Sequence, residues 1–145
     1  MPFRMIDTDI WCKPKIQKLS KDAKLLYLYC CFNKQCQATG ISEMTDETIA
    51  FETKLDLEDL PDLFKELEKA DIKRLDDTIW VKKFIKNQAK SPKFITHIVR
   101  MLDGMSDQVL ANKVREYNRD CLGGFTQLNR LKAGKTSDEE ENLPY

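Results

Sequence analysis

The sequence predicts a mainly α-helical protein with one small β-hairpin, an α+β chain. Three observations carry that expectation. Apolar residues recur at helical spacing in separate segments, each opened by a capping residue and closed by a polar or glycine-containing break. Two short β-rich runs, Ile72–Leu75 and Thr78–Val81, flank the pair Asp76-Asp77, which suits a tight turn. The chain is also too short for more than one domain with an appendage, at 145 residues of which 41% are hydrophobic.

Taken in order, Ser20 is an N-cap and Asp22 lies in the first turn, where the helix dipole favours an acid. The run Leu25 to Phe32 is apolar nearly all round, which predicts a central helix covered on several sides. Asn33 to Gly40 is polar and reads as a loop leading to a short extended piece around Ile41. Thr45 caps a brief helix to Thr53, with Asp46 and Glu47 in its first turn. Leu60, Phe64, Leu67 and Ala70 mark the next helix. Pro61 is tolerated only in a first turn, so that helix starts from about Asp59. After the hairpin, Ser91-Pro92 opens a helix striped by Phe94, Ile95, Ile98, Val99 and Leu102, which Gly104 ends. Ser106 is expected to cap a last helix carrying Leu110, Val114, Tyr117 and Cys121, broken by Gly123-Gly124. From Gly134 the chain is polar and acidic and is expected to be disordered.

Helix, short strand, helix, helix, hairpin and further helices is the order of a winged helix-turn-helix followed by C-terminal helices. The hairpin is then the wing and the helix before it the nominal recognition helix. The expected division is a winged-helix domain over 1–90, a helical extension over 91–133 and an acidic tail over 134–145.

Composition excludes several function classes. No apolar run reaches the ~20 residues of a membrane span, and the N-terminus has no signal-peptide stretch, so a cytoplasmic protein is expected. Five cysteines without CxxC pairs read as small core hydrophobes, Cys30 and Cys31 especially. A single histidine, His97, argues against zinc, and no cofactor is expected. Asp7 and Asp9 stand two apart without metal-binding company, which favours a turn-and-cap role. Neither a nucleophile–base pair nor a Gly-rich phosphate loop is present, so the chain reads as non-enzymatic.

Met5-Ile6-Asp7-Thr8-Asp9-Ile10-Trp11, Leu19-Ser20, Ala23 to Tyr29, Gly40-Ile41, Ile49 to Thr53, Leu67 to Ala70, Trp80 to Gln88 and Lys90 to Lys93 form an ordered set. The set resembles the N-terminal winged-helix domain of phage replisome organisers and DnaD-like primosome proteins, over about residues 4 to 100. The resemblance implies a DNA-associated scaffold that self-associates and helps assemble replication machinery, with partners such as a helicase loader. The family often has glycine where Lys54 and Asp71 stand, which points to left-handed backbone at both. Its full-length members usually carry a second, C-terminal helical domain for which this chain leaves no room. That reads as a naturally short member, or as a different role built on the same module.

Net charge is zero, but the charges are segregated. Lys73, Arg74, Lys82, Lys83, Lys86, Lys90 and Lys93 form a basic stripe over the wing and the corner after it, the expected phosphate-binding surface. Arg4, Lys13, Lys15, Lys18, Lys21 and Lys24 are interspersed with Asp7, Asp9 and Asp22 and read as solvated surface. The recognition helix is acidic, with Asp56, Glu58, Asp59, Asp62, Glu66, Glu68 and Asp71 around it, so it is poorly suited to a groove lined by phosphates. The expected function is therefore a DNA-binding and assembly module of phage or bacterial replication initiation, contacting backbone phosphates with little sequence preference. Two alternatives stand beside it: a winged-helix transcriptional regulator, and a protein-interaction module docking a partner on the acidic helix. Trp11, Trp80 and Phe84 are read as core or interface residues in preference to base-stacking platforms. The apolar residues between Phe84 and Tyr117 exceed what one small core needs, which favours a homo-oligomer, with a monomer whose surplus covers the core from behind as the alternative.

Overall fold

Local capping chemistry sets several of the helix starts. In the computed structural model, which describes residues 3–88 and 91–122, the Ser20 hydroxyl accepts from the Ala23 N–H at 3.2 Å and opens α2 (Lys21–Phe32). Thr45 accepts from the Thr48 N–H at 3.3 Å and opens α3 (Asp46–Thr53). Ahead of these, a 3₁₀ turn (Thr8–Cys12) is opened by Asp7, whose carboxylate accepts from the Asp9 N–H, so Asp7 serves as the cap and Asp9 lies in the turn. Pro14 then starts α1 (Pro14–Gln17), a turn of helix that the sequence did not announce.

The chain divides into two compact units, Met1–Asn87 and Gln88–Tyr145. In the first, a 3₁₀ turn (Leu57–Asp59) leads into α4 (Leu60–Glu68), whose Leu60, Leu63, Phe64 and Leu67 are buried. The helix starts where Pro61 allows it to, in the first turn. The backbone is left-handed at Lys54 after α3 (φ 66°) and at Asp71 after α4 (φ 64°).

The extended piece at Ile41 is a third strand rather than an isolated one. Strand β1 (Ile41–Glu43) pairs antiparallel with β3 (Thr78–Val81), which pairs with β2 (Ile72–Leu75), giving the order β1-β3-β2. Gly40 makes the strand's entry possible. It sits at φ 84°, its carbonyl accepts from the Val81 N–H, and a Cβ there would lie 2.7 Å from both the Val81 carbonyl oxygen and the Phe84 Cβ. Directly after the hairpin comes α5 (Phe84–Asn87), also not expected from the sequence. The core of this unit gathers Leu26, Cys30, Ile49, Leu60, Leu67 and Ile79, all fully buried, from α2, α3, α4 and β3. Helix α2 is less enclosed than its composition suggests. Leu25 and Phe32 remain exposed, with Leu28 and Tyr29 half-buried between them.

In the second unit, Ser91 caps α6 (Pro92–Asp103), which buries Phe94, Ile95, Ile98, Val99 and Leu102. Gly104 follows in ordinary right-handed geometry, so no left-handed cap requires it. Helix α7 (Gln108–Tyr117) is capped by Asp107, not by Ser106: the Asp107 carboxylate accepts from the Leu110 N–H at 3.0 Å. The expected run to Cys121 is broken at Asn118, whose buried amide donates to the Val114 carbonyl, and resumes as α8 (Arg119–Leu122). The tail from 134 to 145 lies outside the described residues, as does Lys90.

Candidate nucleic-acid interface

Side chains alternate across a strand, and this alternation divides the first two residues of the basic stripe. Lys73 lies opposite Trp80 on β3 and so shares its sheet face, and the Lys82 ammonium stands 5.5 Å from the centre of the Trp80 ring. Arg74 lies opposite Ile79, which is fully buried, and points to the other face. There its guanidinium donates to the Met44 carbonyl at 2.9 Å and the Asp46 carboxylate at 2.6 Å, and lies over the Phe64 ring. With 14% of its side chain exposed, Arg74 is a clamp between the hairpin and the start of α3, and is removed from the phosphate-binding set.

Asp71 organises the base of the hairpin. Its carbonyl accepts from the Lys82 N–H at 3.0 Å, continuing the β2–β3 ladder by one bond. Its carboxylate accepts from Lys15 of α1 at 3.1 Å and from Lys83 at 3.2 Å, both on the same oxygen. Partial burial pushes the Asp71 pKa up, but the two ammonium groups outweigh it and hold the carboxyl below its ordinary value. Lys82 and Lys83 thus stand at the foot of the hairpin, Lys86 follows half-exposed on α5, and Lys15 joins them from the N-terminal segment. In sequence Lys15 reads as solvated surface, because nothing in its neighbourhood along the chain announces a partner 56 residues away. Lys93 is exposed in the first turn of α6, in the second unit.

The acidic helix keeps its expected character. Asp56, Glu58, Asp59, Asp62 and Glu68 are exposed, and Glu66 turns back to accept from the Ser20 N–H and hydroxyl. Asp59, Asp62 and Glu66 line an open groove with Ser20, Lys21, Asp22 and Leu63, so α2 adds one base and one acid to the acidic face that α4 presents.

Trp80 and Phe84 are buried, in keeping with their reading as core residues, whereas Trp11 is 54% exposed. Cys30, Cys31 and Cys36 are buried free thiols. Burial pushes Cys31 and Cys36 up to about 12, which suits small hydrophobes of the core. Cys12 departs from this pattern and is exposed. The apolar residues offered for self-association are mostly occupied within the chain: Phe84, Ile85, Phe94, Ile95, Ile98, Val99, Leu102, Leu110 and Val114 are buried, while Val109 is 70% exposed. Those buried members of the surplus are core residues of their own chain, while Met101, Met105 and Tyr117 are half-buried. Among the described residues no cluster of histidine, cysteine and acidic side chains suits a metal, and no helix is long and apolar enough to cross a membrane.

No protein-family model, curated protein or solved structure matches the chain.

Proposed function

We propose that this chain is a winged-helix DNA-handling module that works in the assembly of phage or bacterial replication machinery. The observation that carries the reading is the basic corner at the foot of the hairpin, where Lys82, Lys83 and Lys86 follow one another off β3 and Lys15 closes in from α1. Helix–strand–helix–helix–hairpin order with a three-stranded antiparallel sheet supports the winged-helix assignment. The acidic exposed side of α4 disfavours sequence reading in the major groove, and with it a transcriptional regulator, so contact runs through phosphates. Self-association and a helicase-loader partner belong to the proposal through the resemblance to replisome organisers alone.

Binding of a short, labelled, mixed-sequence duplex, followed through a salt titration, tests the reading. If about three lysines meet phosphates, affinity falls by more than an order of magnitude between low and physiological salt. K82E/K83E/K86E abolishes binding, and K82Q/K83Q/K86Q, which places no acid beside Asp71, weakens it strongly while the circular-dichroism spectrum stays that of the folded chain. Salt-independent affinity, or full binding by both triple variants, refutes the proposal.

The acidic groove between α2 and α4 supports a second reading, a docking face for a basic protein segment. Under that reading the same triple variants lose nothing, and reversal of Asp59 and Asp62 abolishes partner binding.

A further inference from the structure

Lys15 and Lys83 reach one carboxylate oxygen of Asp71 from two different elements, Lys15 from α1 and Lys83 from the turn after β3. Two cations on one anion leave a local surplus of one positive charge. Both lysine side chains are partly exposed, 56% for Lys15 and 46% for Lys83, and both end on a single anionic oxygen. We propose that Asp71 is an internal stand-in for a backbone phosphate: it pre-sets Lys15 and Lys83 as a two-lysine phosphate clamp, and an incoming phosphate exchanges with it for their hydrogen bonds. The inference rests on the DNA-binding reading and adds to it a contact residue, Lys15, and a built-in brake, Asp71.

The geometry around Asp71 favours exchange over a fixed structural bridge. Its backbone is anchored independently of its carboxylate, because its carbonyl holds the Lys82 N–H and its amide donates to the Glu68 carbonyl. The side chain can therefore release either lysine without the hairpin base coming apart. A phosphate offers more acceptor oxygens than one shared carboxylate oxygen, so each lysine gains a separate partner on exchange. Lysine suits such an exchange, since its ammonium is a point charge on a flexible stem and can swing from one acceptor to the next. Retaining the carboxylate costs affinity by placing a negative charge beside the bound phosphate, which keeps the contact weak and salt-sensitive.

Duplex affinity of K15Q, D71N and K15Q/D71N across a salt series tests the clamp. Asparagine tolerates the left-handed backbone of Asp71, so D71N keeps the turn while removing the charge. D71N is expected to bind about fivefold more tightly at low salt, and K15Q to bind more weakly with a salt slope shallower by about one. In the double variant most of the D71N gain disappears, since one arm of the clamp is missing. If wild type binds and loses binding on K82E/K83E/K86E, yet K15Q leaves affinity and slope unchanged, the clamp is wrong and the DNA reading survives. If wild type and D71N both fail to bind at low salt, the clamp and the DNA reading fall together. A gain from D71N that persists in full without Lys15 also overturns the clamp, because it assigns the effect to net charge alone.

Discussion

The two ends of α4 carry opposite charge for different reasons. At the N-terminal end Asp59 and Asp62 face an open groove that Asp22 also lines. Just beyond the C-terminal end, Asp71 is held by Lys15 and Lys83. The helix dipole accounts for part of this arrangement, since acids are favoured near the positive N-terminus and cations near the negative C-terminus. It does not account for lysines arriving from α1 and from the turn after β3. The comparison teaches that a basic run in sequence and a basic surface in space are different sets: Arg74 belongs to the first only, and Lys15 to the second only.

The sharpest way to break that distinction is to neutralise neighbours. R74Q removes the donors that hold Met44 and Asp46 and lifts the cation from Phe64, leaving polar groups at the start of α3 without their partner. A loss of about 2 kcal/mol is expected, below the full value for a buried pair because Asp46 is 40% exposed. K73Q, one residue earlier on the opposite sheet face, should leave stability within about 0.5 kcal/mol and lower DNA affinity instead. Chemical denaturation of the two variants checks this. Equal stability would return Arg74 to the surface set.

How much of this was legible in the sequence depends on the range of the interaction. Ser20, Thr45 and Ser91 cap helices through bonds to residues three positions on, and each is readable from the chain alone. Ser106 and Asp107 show the limit of the same logic. Both are good caps, one residue apart, and only the backbone decides that Asp107 accepts from Leu110. Pairing of β1 with β3 joins Ile41 to Trp80, and a three-residue strand carries too little periodicity to announce such a partner. The hairpin is legible because its register is local, but the inward turn of Arg74 requires knowing which face of β2 meets the core. Lys15 is unreadable for the same reason as β1: its partner comes from a distant part of the chain.

The acidic end offers a middle-sized test. D59K/D62K reverses the charge beside the groove and places cations near the N-terminus of α4, where the dipole opposes them. Stability should fall by about 1 kcal/mol in total. If this face repels DNA, affinity for the duplex should nevertheless rise by about tenfold at low salt, since two repulsive charges become attractive. Unchanged affinity would show that the acidic face lies away from bound DNA and remains open to a protein partner.

The smallest expected effect compares the two left-handed residues that flank this region. Lys54 and Asp71 hold nearly the same backbone, φ 66° and 64°, yet only Asp71 uses its side chain to gather other elements. Lys54 extends over the exposed Phe51 ring, a contact of modest value in water. A non-glycine residue in this conformation costs about 1–2 kcal/mol. K54G relieves that strain but gives the unfolded chain more freedom to lose and forfeits the ring contact, so the gain should be about 0.5 kcal/mol. For a unit of this size that corresponds to a rise of roughly 2–4 °C in melting temperature. D71G relieves the same strain and removes the carboxylate that holds Lys15 and Lys83 together, so it should give no such rise. Melting of the two variants side by side separates backbone geometry from side-chain function: an equal gain from D71G would mean that the two-lysine bridge contributes nothing to the fold, and a loss from K54G would mean that the ring contact outweighs the strain.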